Sequence, residues 1–230
     1  WVGKAAVKSF IIASVIRSAS DGLESINRRS WTPWDVPDVS ELLFCVTVTE
    51  ILLAPMPDIE SMTGVNTISP TWFSVASKDG TVSSLADSSY VETAHEKGLE
   101  VWGLVDNFNQ EVDMKEVLTN TTAREKLTTQ LIEAALEYQL DGLNIDFENL
   151  GEELGDAYIE FLRELSIQCR KNNLVLSSDN TVPRDFSAYY QRSEQAEVVD
   201  YFIIMGYDEH YVGSDPGSVA SLSFEKEGIG

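Results

Sequence analysis

The sequence predicts an α/β fold, a (β/α)8 TIM barrel that stops after about its sixth strand, and three observations point there. Beyond residue 40, short β-rich runs alternate with longer helical patterns, the arrangement of βαβ units around a parallel sheet. Each run is apolar at its start and polar at its end, as in a barrel whose C-terminal strand ends carry the chemistry. A doubly wound open sheet would bring a Gly-rich phosphate turn after its first strand, and none is present. At most six strands can be counted before Gly230, so the chain reads as a fragment, in keeping with its lack of an initiating Met.

Residues 1–40 stand apart. They carry five basic and four acidic residues against 11 and 34 in the remainder, and read as an unassigned segment, disordered or foreign to the domain at 41–230. Within them KSFIIASVIRSAS has the basic flank of a signal peptide, but its apolar run FIIASVI is short and Arg17 ends it. LLFCVTVTEILLA (42–54) is a candidate first strand. The first clear strand is VNTISPTWF (65–73), followed by a helix from about Leu85 to Lys97 that Gly98 stops. LEVWGLVDNF (99–108) comes next. The helix after it has Thr122 and Glu125 in capping-box spacing, with an apolar face of Leu127, Leu131, Ala135 and Tyr138. LDGLNIDFENL (140–150) leads to a helix from Asp156 to Lys171. LVLSSDNTV (174–182) ends at Pro183, and VDYFIIMGYDEH (199–210) leads to a helical start at Ser218.

Composition narrows the function. With 16 Lys and Arg against 38 Asp and Glu, the net charge of -22 disfavours nucleic acid and anionic membranes, and a neutral or cationic partner fits better. No run approaches the length of a membrane span. Cys45 and Cys169 are too few and too far apart for a disulfide framework or a metal site, and Cys169 falls in step with Tyr158, Leu162 and Leu165 on a buried helical face. Of the two histidines, His95 beside Glu96 and Lys97 reads as solvated and His210 as a loop hydrogen-bonder, so neither a metal nor another cofactor is expected.

LDGLNIDFENL carries the chemistry. In a strand alternate side chains share a face, so Leu143, Ile145 and Phe147 point toward packed helices while Asn144, Asp146 and Glu148 point into the barrel. By strand rise Asp146 and Glu148 lie about 6.6 Å apart, close enough for an ionised Asp146 to keep a proton on Glu148. That pairing of anion and acid suits glycoside hydrolysis. The same spacing also suits a polar layer whose members only hydrogen-bond one another.

LDGLNIDFE resembles the D-G-x-D-x-D-x-E motif of glycoside hydrolase family 18, the chitinase-like barrel enzymes, with Asp141, Asp146 and Glu148 in matching positions and Asn144 departing. The family's Met-x-Tyr-Asp run is matched by Met205, Tyr207 and Asp208. SPTWF, VWGLVDNF and MGYDEH look like the bacterial branch that includes spore-cortex and other peptidoglycan-acting N-acetylglucosaminidases, many linked to LysM modules. The resemblance covers roughly residues 60–230.

The resemblance implies a retaining, substrate-assisted hydrolase of N-acetylglucosamine polysaccharides, peptidoglycan or chitin-like, acting outside the cell, at the cell wall or on a spore. Glu148 would be the acid and then the base, Asp146 would orient the acetamido group, and the Tyr207 hydroxyl would bind its oxygen. Asp208 would contact the sugar and Asp141 the polar network of the strand. With Asn144 in place of an inner carboxylate, Asp146 should stay anionic more readily. Trp72 and Trp102 suit stacking on sugar rings or barrel packing. Asp106, Asn107, Asp179 and Asn180, at strand ends, suit sugar binding or loop capping. A catalytically silent carbohydrate-binding barrel is the alternative, although such relatives usually lose the Glu. A glycosyltransferase with Asp146 and Glu148 on a metal lacks its nucleotide-binding turn.

Overall fold

The computed structural model describes residues 15–17, 45–48, 65–210 and 213–224. In chain order its elements are β1 (Val15–Arg17), β2 (Cys45–Val48), β3 (Thr67–Val75), β4 (Val82–Ser84), α1 (Ser88–Glu96), β5 (Glu100–Asp106), α2 (Met114–Leu118), α3 (Thr121–Glu137), β6 (Gly142–Asp146), α4 (Gly155–Lys171), β7 (Val175–Thr181), α5 (Arg192–Ala196) and β8 (Tyr201–Met205). Six strands, β2-β3-β5-β6-β7-β8, run parallel and stand side by side in chain order. A doubly wound sheet reverses its strand order at a switch point, whereas a barrel does not, so this is the six-strand portion of a barrel. β1 closes on β8 antiparallel, and β4 is a short hairpin partner of β3.

The sheet curls. Two strands separate β5 from β8, about 14 Å along a flat sheet, yet the rings of Trp102 and Tyr201 lie 5.0 Å apart. They meet across the lumen and fill its floor. Gly142 makes room for them: a Cβ there would sit 2.9 Å from Trp102 Cδ1 and 2.7 Å from the Val175 carbonyl oxygen. The Gly of the D-G pair is thus a packing requirement.

The outer face is apolar. Leu143 and Ile145 are buried in the layer between sheet and helices, and Phe147 stacks on Phe161 of α4 at 5.4 Å and 11°. Cys169 lies in the same layer, and burial followed by the Asp200 carboxylate pushes its thiol up to about 12, so it is inert packing as its helical phase predicts.

The predicted strands and central helices are present, with shifted boundaries. α1 starts at Ser88 because Asp87 accepts from the Ser89 and Tyr90 amides. α3 is capped by Asn120, which accepts from Thr122 and Ala123, and not by the Thr122/Glu125 box. The helical start expected at Ser218 appears at residue 222. Of residues 1–40 and of the run 42–54, only β1 and β2 are described; the remainder of both readings lies outside the described residues. Among the described residues no helix is long and apolar enough to cross a membrane.

Candidate active site

β6 ends at Asp146 and the chain turns through Phe147–Leu150, with Asn149 in the left-handed region at φ 54°, a conformation Asn tolerates better than most side chains. Two side chains clamp this turn. Asn107, just past the end of β5, accepts from the Glu148 amide at 2.9 Å and donates to the Glu148 carbonyl at 2.9 Å. From the other side the Tyr190 hydroxyl donates to the Phe147 carbonyl at 2.9 Å and accepts from the Leu150 amide at 3.2 Å. Buried Gln195 anchors Tyr190 in turn, donating to its carbonyl at 2.7 Å.

Asn107 is therefore engaged with main chain, the loop-capping alternative of its two expected roles. Replacing it with Ala leaves the Glu148 amide and carbonyl unpaired in a half-buried place. We expect about 1–3 kcal/mol of destabilisation and, from misplacement of Glu148, a fall in kcat of about 100-fold. Urea denaturation and turnover of Asn107→Ala check this; an unchanged kcat would show that Tyr190 suffices alone.

Below the turn lies a buried polar layer. Asn144 donates to Asp179 Oδ2 at 2.9 Å and accepts from the Ser177 hydroxyl at 2.8 Å. Asp106 Oδ1 accepts from the Ser74 hydroxyl at 2.7 Å and the Phe108 amide at 3.0 Å. Asp146 and Asp179 are both buried, and the Oδ1 of each has no hydrogen-bond partner.

Burial, then the charges of Asp179, Glu148 and Asp106, pushes the Asp146 carboxyl well above the usual carboxylate range. Burial also raises Asp179, against the lowering effect of the Asn144 hydrogen bond, and Glu148 adds to the rise. This corrects the expectation that Asn144 leaves Asp146 readily anionic: a carboxylate neighbour arrives from β7 instead of from position 144. Burial first, then Asp146, Asp179, Glu148 and Asp208, also raises Tyr207 far above an ordinary phenol. Its hydroxyl stays protonated and donates to Met205 Sδ at 2.9 Å. The electrostatics thus couple Asp146, Glu148, Asp179 and Tyr207 into one group.

A raised carboxyl has a stability consequence. Between the unfolded carboxylate pKa, about 3.9, and the raised native value, the folded state binds more protons than the unfolded one. The contribution is complete below the unfolded value and is lost as pH rises through the native one. Asp146→Asn should therefore stabilise the protein at pH 8 by about 1–3 kcal/mol and much less at pH 4. Urea midpoints at the two pH values check it, and an equal gain at both would refute it.

Four other predicted residues lie elsewhere. Asp141 sits at the opposite end of β6, where its Oδ2 accepts from the Val101 amide at 2.7 Å and meets His95 Nε2 at 2.8 Å. His95 is accordingly engaged with Asp141 and not simply solvated. Asn180 faces the helices: it forms a reciprocal amide pair with Gln195 at 2.9 and 3.0 Å. Trp102 belongs to the lumen floor, its indole N–H donating to Glu100 at 3.1 Å. Trp72 is 4% exposed and packs edge-on against Tyr90 at 5.2 Å, so both tryptophans are packing residues. Asp208 is exposed, with a left-handed φ of 61°. His210 Nδ1 donates to the Ser218 carbonyl at 2.8 Å, the loop hydrogen bond expected of it.

A cleft of about 310 Å³ opens beside the turn, bordered by Asn107, Phe108, Glu148, Asn149 and Glu153. Phe108, 46% exposed, offers an aromatic face there that sequence reasoning missed. Among the described residues no group of three or more His, Cys, Asp or Glu side chains is arranged to hold a metal ion.

The model of Glycosyl hydrolases family 18 matches residues 61–227. The chain belongs to this family. Its relatives include the uncharacterized glycosylase YvbX of Bacillus subtilis, 29% identical over 164 residues, 66% of this chain and 48% of that protein. The cortical fragment-lytic enzyme of Bacillus anthracis is 25% identical over 162 residues, 66% of this chain and 38% of that protein. The spore cortex-lytic enzyme SleL of Bacillus megaterium superposes with a TM-score of 0.70 at 19% identity, over 81% of this chain and 46% of that one, a likeness of fold. The chain spans about half or less of the length of the curated relatives described.

Proposed function

We propose that the protein is a retaining glycoside hydrolase that cleaves β-1,4-linked N-acetylglucosamine polymers, peptidoglycan or chitin-like, with help from the substrate's own acetamido group. The observation that carries this reading is the placing of Glu148. Its main chain is clamped on both sides at the C-terminal end of β6, beside a cleft, above a buried carboxyl layer that includes Asp146. The family membership and the cortical fragment-lytic relative support a spore or cell-wall polysaccharide as substrate; the site of action would then be the spore, the cell wall or the space outside the cell.

In this mechanism Glu148 gives its proton to the glycosidic oxygen as the bond to the anomeric carbon breaks. The acetamido carbonyl oxygen of the same sugar attacks that carbon from the opposite face and forms an oxazolinium ion. Family 18 departs in this way from the two-carboxylate scheme. Asp146, as an anion, accepts the acetamido N–H and faces the positive charge, while the neutral Tyr207 hydroxyl donates to the acetamido oxygen. Glu148, now a carboxylate, takes a proton from water, which opens the ring with net retention. Phe108, exposed in the cleft, would stack on a sugar there, and the exposed Asp208 would meet sugar hydroxyls. LysM or other wall-binding modules in the remainder of the full-length protein would hold it on its polymer.

Reducing-sugar release from GlcNAc oligomers and from peptidoglycan by the full-length protein, beside Glu148→Gln, tests the reading. Hydrolysis is expected from the wild type, with the β-anomer formed first by proton NMR. Turnover that survives Glu148→Gln would overturn it, and binding without hydrolysis would leave a carbohydrate-binding barrel.

A further inference from the structure

The turn that carries Glu148 is tied on its β7 side to a buried amide that lies outside the reaction. Gln195 of α5 is fully buried, and every polar valence of its side chain is used. Oε1 accepts from the Ser178 hydroxyl at 2.9 Å and from Asn180 Nδ2 at 2.9 Å. Nε2 donates to Asn180 Oδ1 at 3.0 Å and to the Tyr190 carbonyl at 2.7 Å. A half-turn of the amide would set donor against donor at Asn180 and oxygen against oxygen at Tyr190, so a single orientation is satisfied. A buried polar network satisfied throughout fixes geometry as well as filling space.

The network reaches the turn through Tyr190. Its hydroxyl donates to the Phe147 carbonyl and accepts from the Leu150 amide, the residues that flank Glu148 and Asn149. The route thus runs from β7 to amide, to phenol, to turn, with a hydrogen bond at each step. The segment that carries Tyr190 is seated by two further contacts. Arg192 donates to the Ser187 carbonyl at 3.0 Å and to its hydroxyl at 2.8 Å, and Gln191 donates to Asp156 of α4 at 2.6 Å. Beneath it α4 begins at Gly155, where a Cβ would collide with the Tyr189 carbonyl oxygen. The missing side chain lets Tyr189 and Tyr190 lie close on the helix. Asn107 holds the opposite side of the turn from just past β5, so the turn is set between its two neighbouring strands.

We propose that Gln195 is a positioning residue for Glu148: acting through Tyr190, it fixes the turn after β6 against β7 and with it the place of the acid. An apolar side chain of similar length at 195 would fill the same volume but release the Tyr190 carbonyl, and the hydroxyl would no longer be held at a set height above the turn. The kinetic consequence rests on the glycosidase reading, whereas the mechanical link between Gln195 and the turn does not.

Gln195→Met and Tyr190→Phe cut the route at successive points, and Gly155→Ala presses on it from below without altering a group of the network. In the full-length protein each is expected to lower kcat on GlcNAc oligomers by about 10- to 100-fold with KM nearly unchanged. The loss should be much smaller on a nitrophenyl glycoside, whose leaving group needs no proton, whereas a merely structural defect would lower both rates alike. Amide hydrogen exchange followed by NMR reads the link without turnover: the Leu150 amide should exchange faster in Gln195→Met than in the wild type. Wild-type kcat or wild-type Leu150 exchange in Gln195→Met, or equal losses on the two substrates, would overturn the proposal. Should that variant not fold, Gly155→Ala decides, a selective loss on the oligomers supporting the proposal and an unchanged kcat overturning it. Faster Leu150 exchange in a protein that hydrolyses no GlcNAc polymer would retain the link and reject the glycosidase; hydrolysis that Gln195→Met leaves intact would do the reverse.

Discussion

Glu148→Gln is expected to lower kcat on GlcNAc oligomers by about 10²- to 10⁴-fold, the range a positioned general acid supplies, and to lower kcat/KM in proportion, if Glu148 has the role proposed for it. The amide keeps the size of the side chain but has no proton to give the leaving oxygen, so the loss falls on the transition state and KM stays nearly constant. The fold is not expected to suffer. Asn107 and Tyr190 hold this turn through the main chain of Phe147, Glu148 and Leu150, and those hydrogen bonds survive the substitution. Matched urea curves for the two proteins would confirm that the loss is chemical. A leaving group that needs no proton, such as a nitrophenolate, should recover much of the rate of bond cleavage, and equal losses on both substrates would place the fault in geometry.

Much of this site is legible in the alternation of one strand. Leu143, Ile145 and Phe147 pack outward, while Asn144 joins the inner polar layer through Ser177 and Asp179, as period-two reasoning requires. The same rule limits what the neighbouring strands can supply. Asp179 and Asn180 are adjacent, so they face opposite sides, and Asn180 is the one turned to the helices and to Gln195. Strand rise likewise puts Asp141 about 16 Å from Asp146, at the far end of β6. What alternation cannot give is the pairing between strands. The register that sets Ile145 against Ser178 brings Asp179 up to Asp146, and it depends on the closing of the whole sheet. The Tyr190 clamp is equally non-local, since it reaches across 43 positions to the Phe147 carbonyl. Phe108 was hidden for another reason: an aromatic residue at the end of an apolar run looks like core until the fold exposes it.

Phe147→Ala, one residue before Glu148, should have the opposite character, a loss of about 3–5 kcal/mol of stability with far less effect on the chemistry of molecules that stay folded. The ring is 1% exposed, stacks on Phe161 and lies 6.0 Å from Tyr158. Truncating it removes apolar burial and leaves a cavity whose walls are the rigid faces of α4 and β6, which cannot readily collapse. Its carbonyl would still accept from Tyr190, so the clamp on the turn persists in the folded fraction and Glu148 remains in place. On the proposed mechanism, stability falls to the odd-numbered face of β6 and its turn, and proton chemistry to the even-numbered one. Urea denaturation should give an unchanged slope and a lower midpoint, with kcat per folded molecule within about tenfold of wild type. A loss below about 1.5 kcal/mol would mean that the clamp, and not the ring, anchors the turn. A collapse of kcat at full folding would mean that the two faces of the strand are not separable in function.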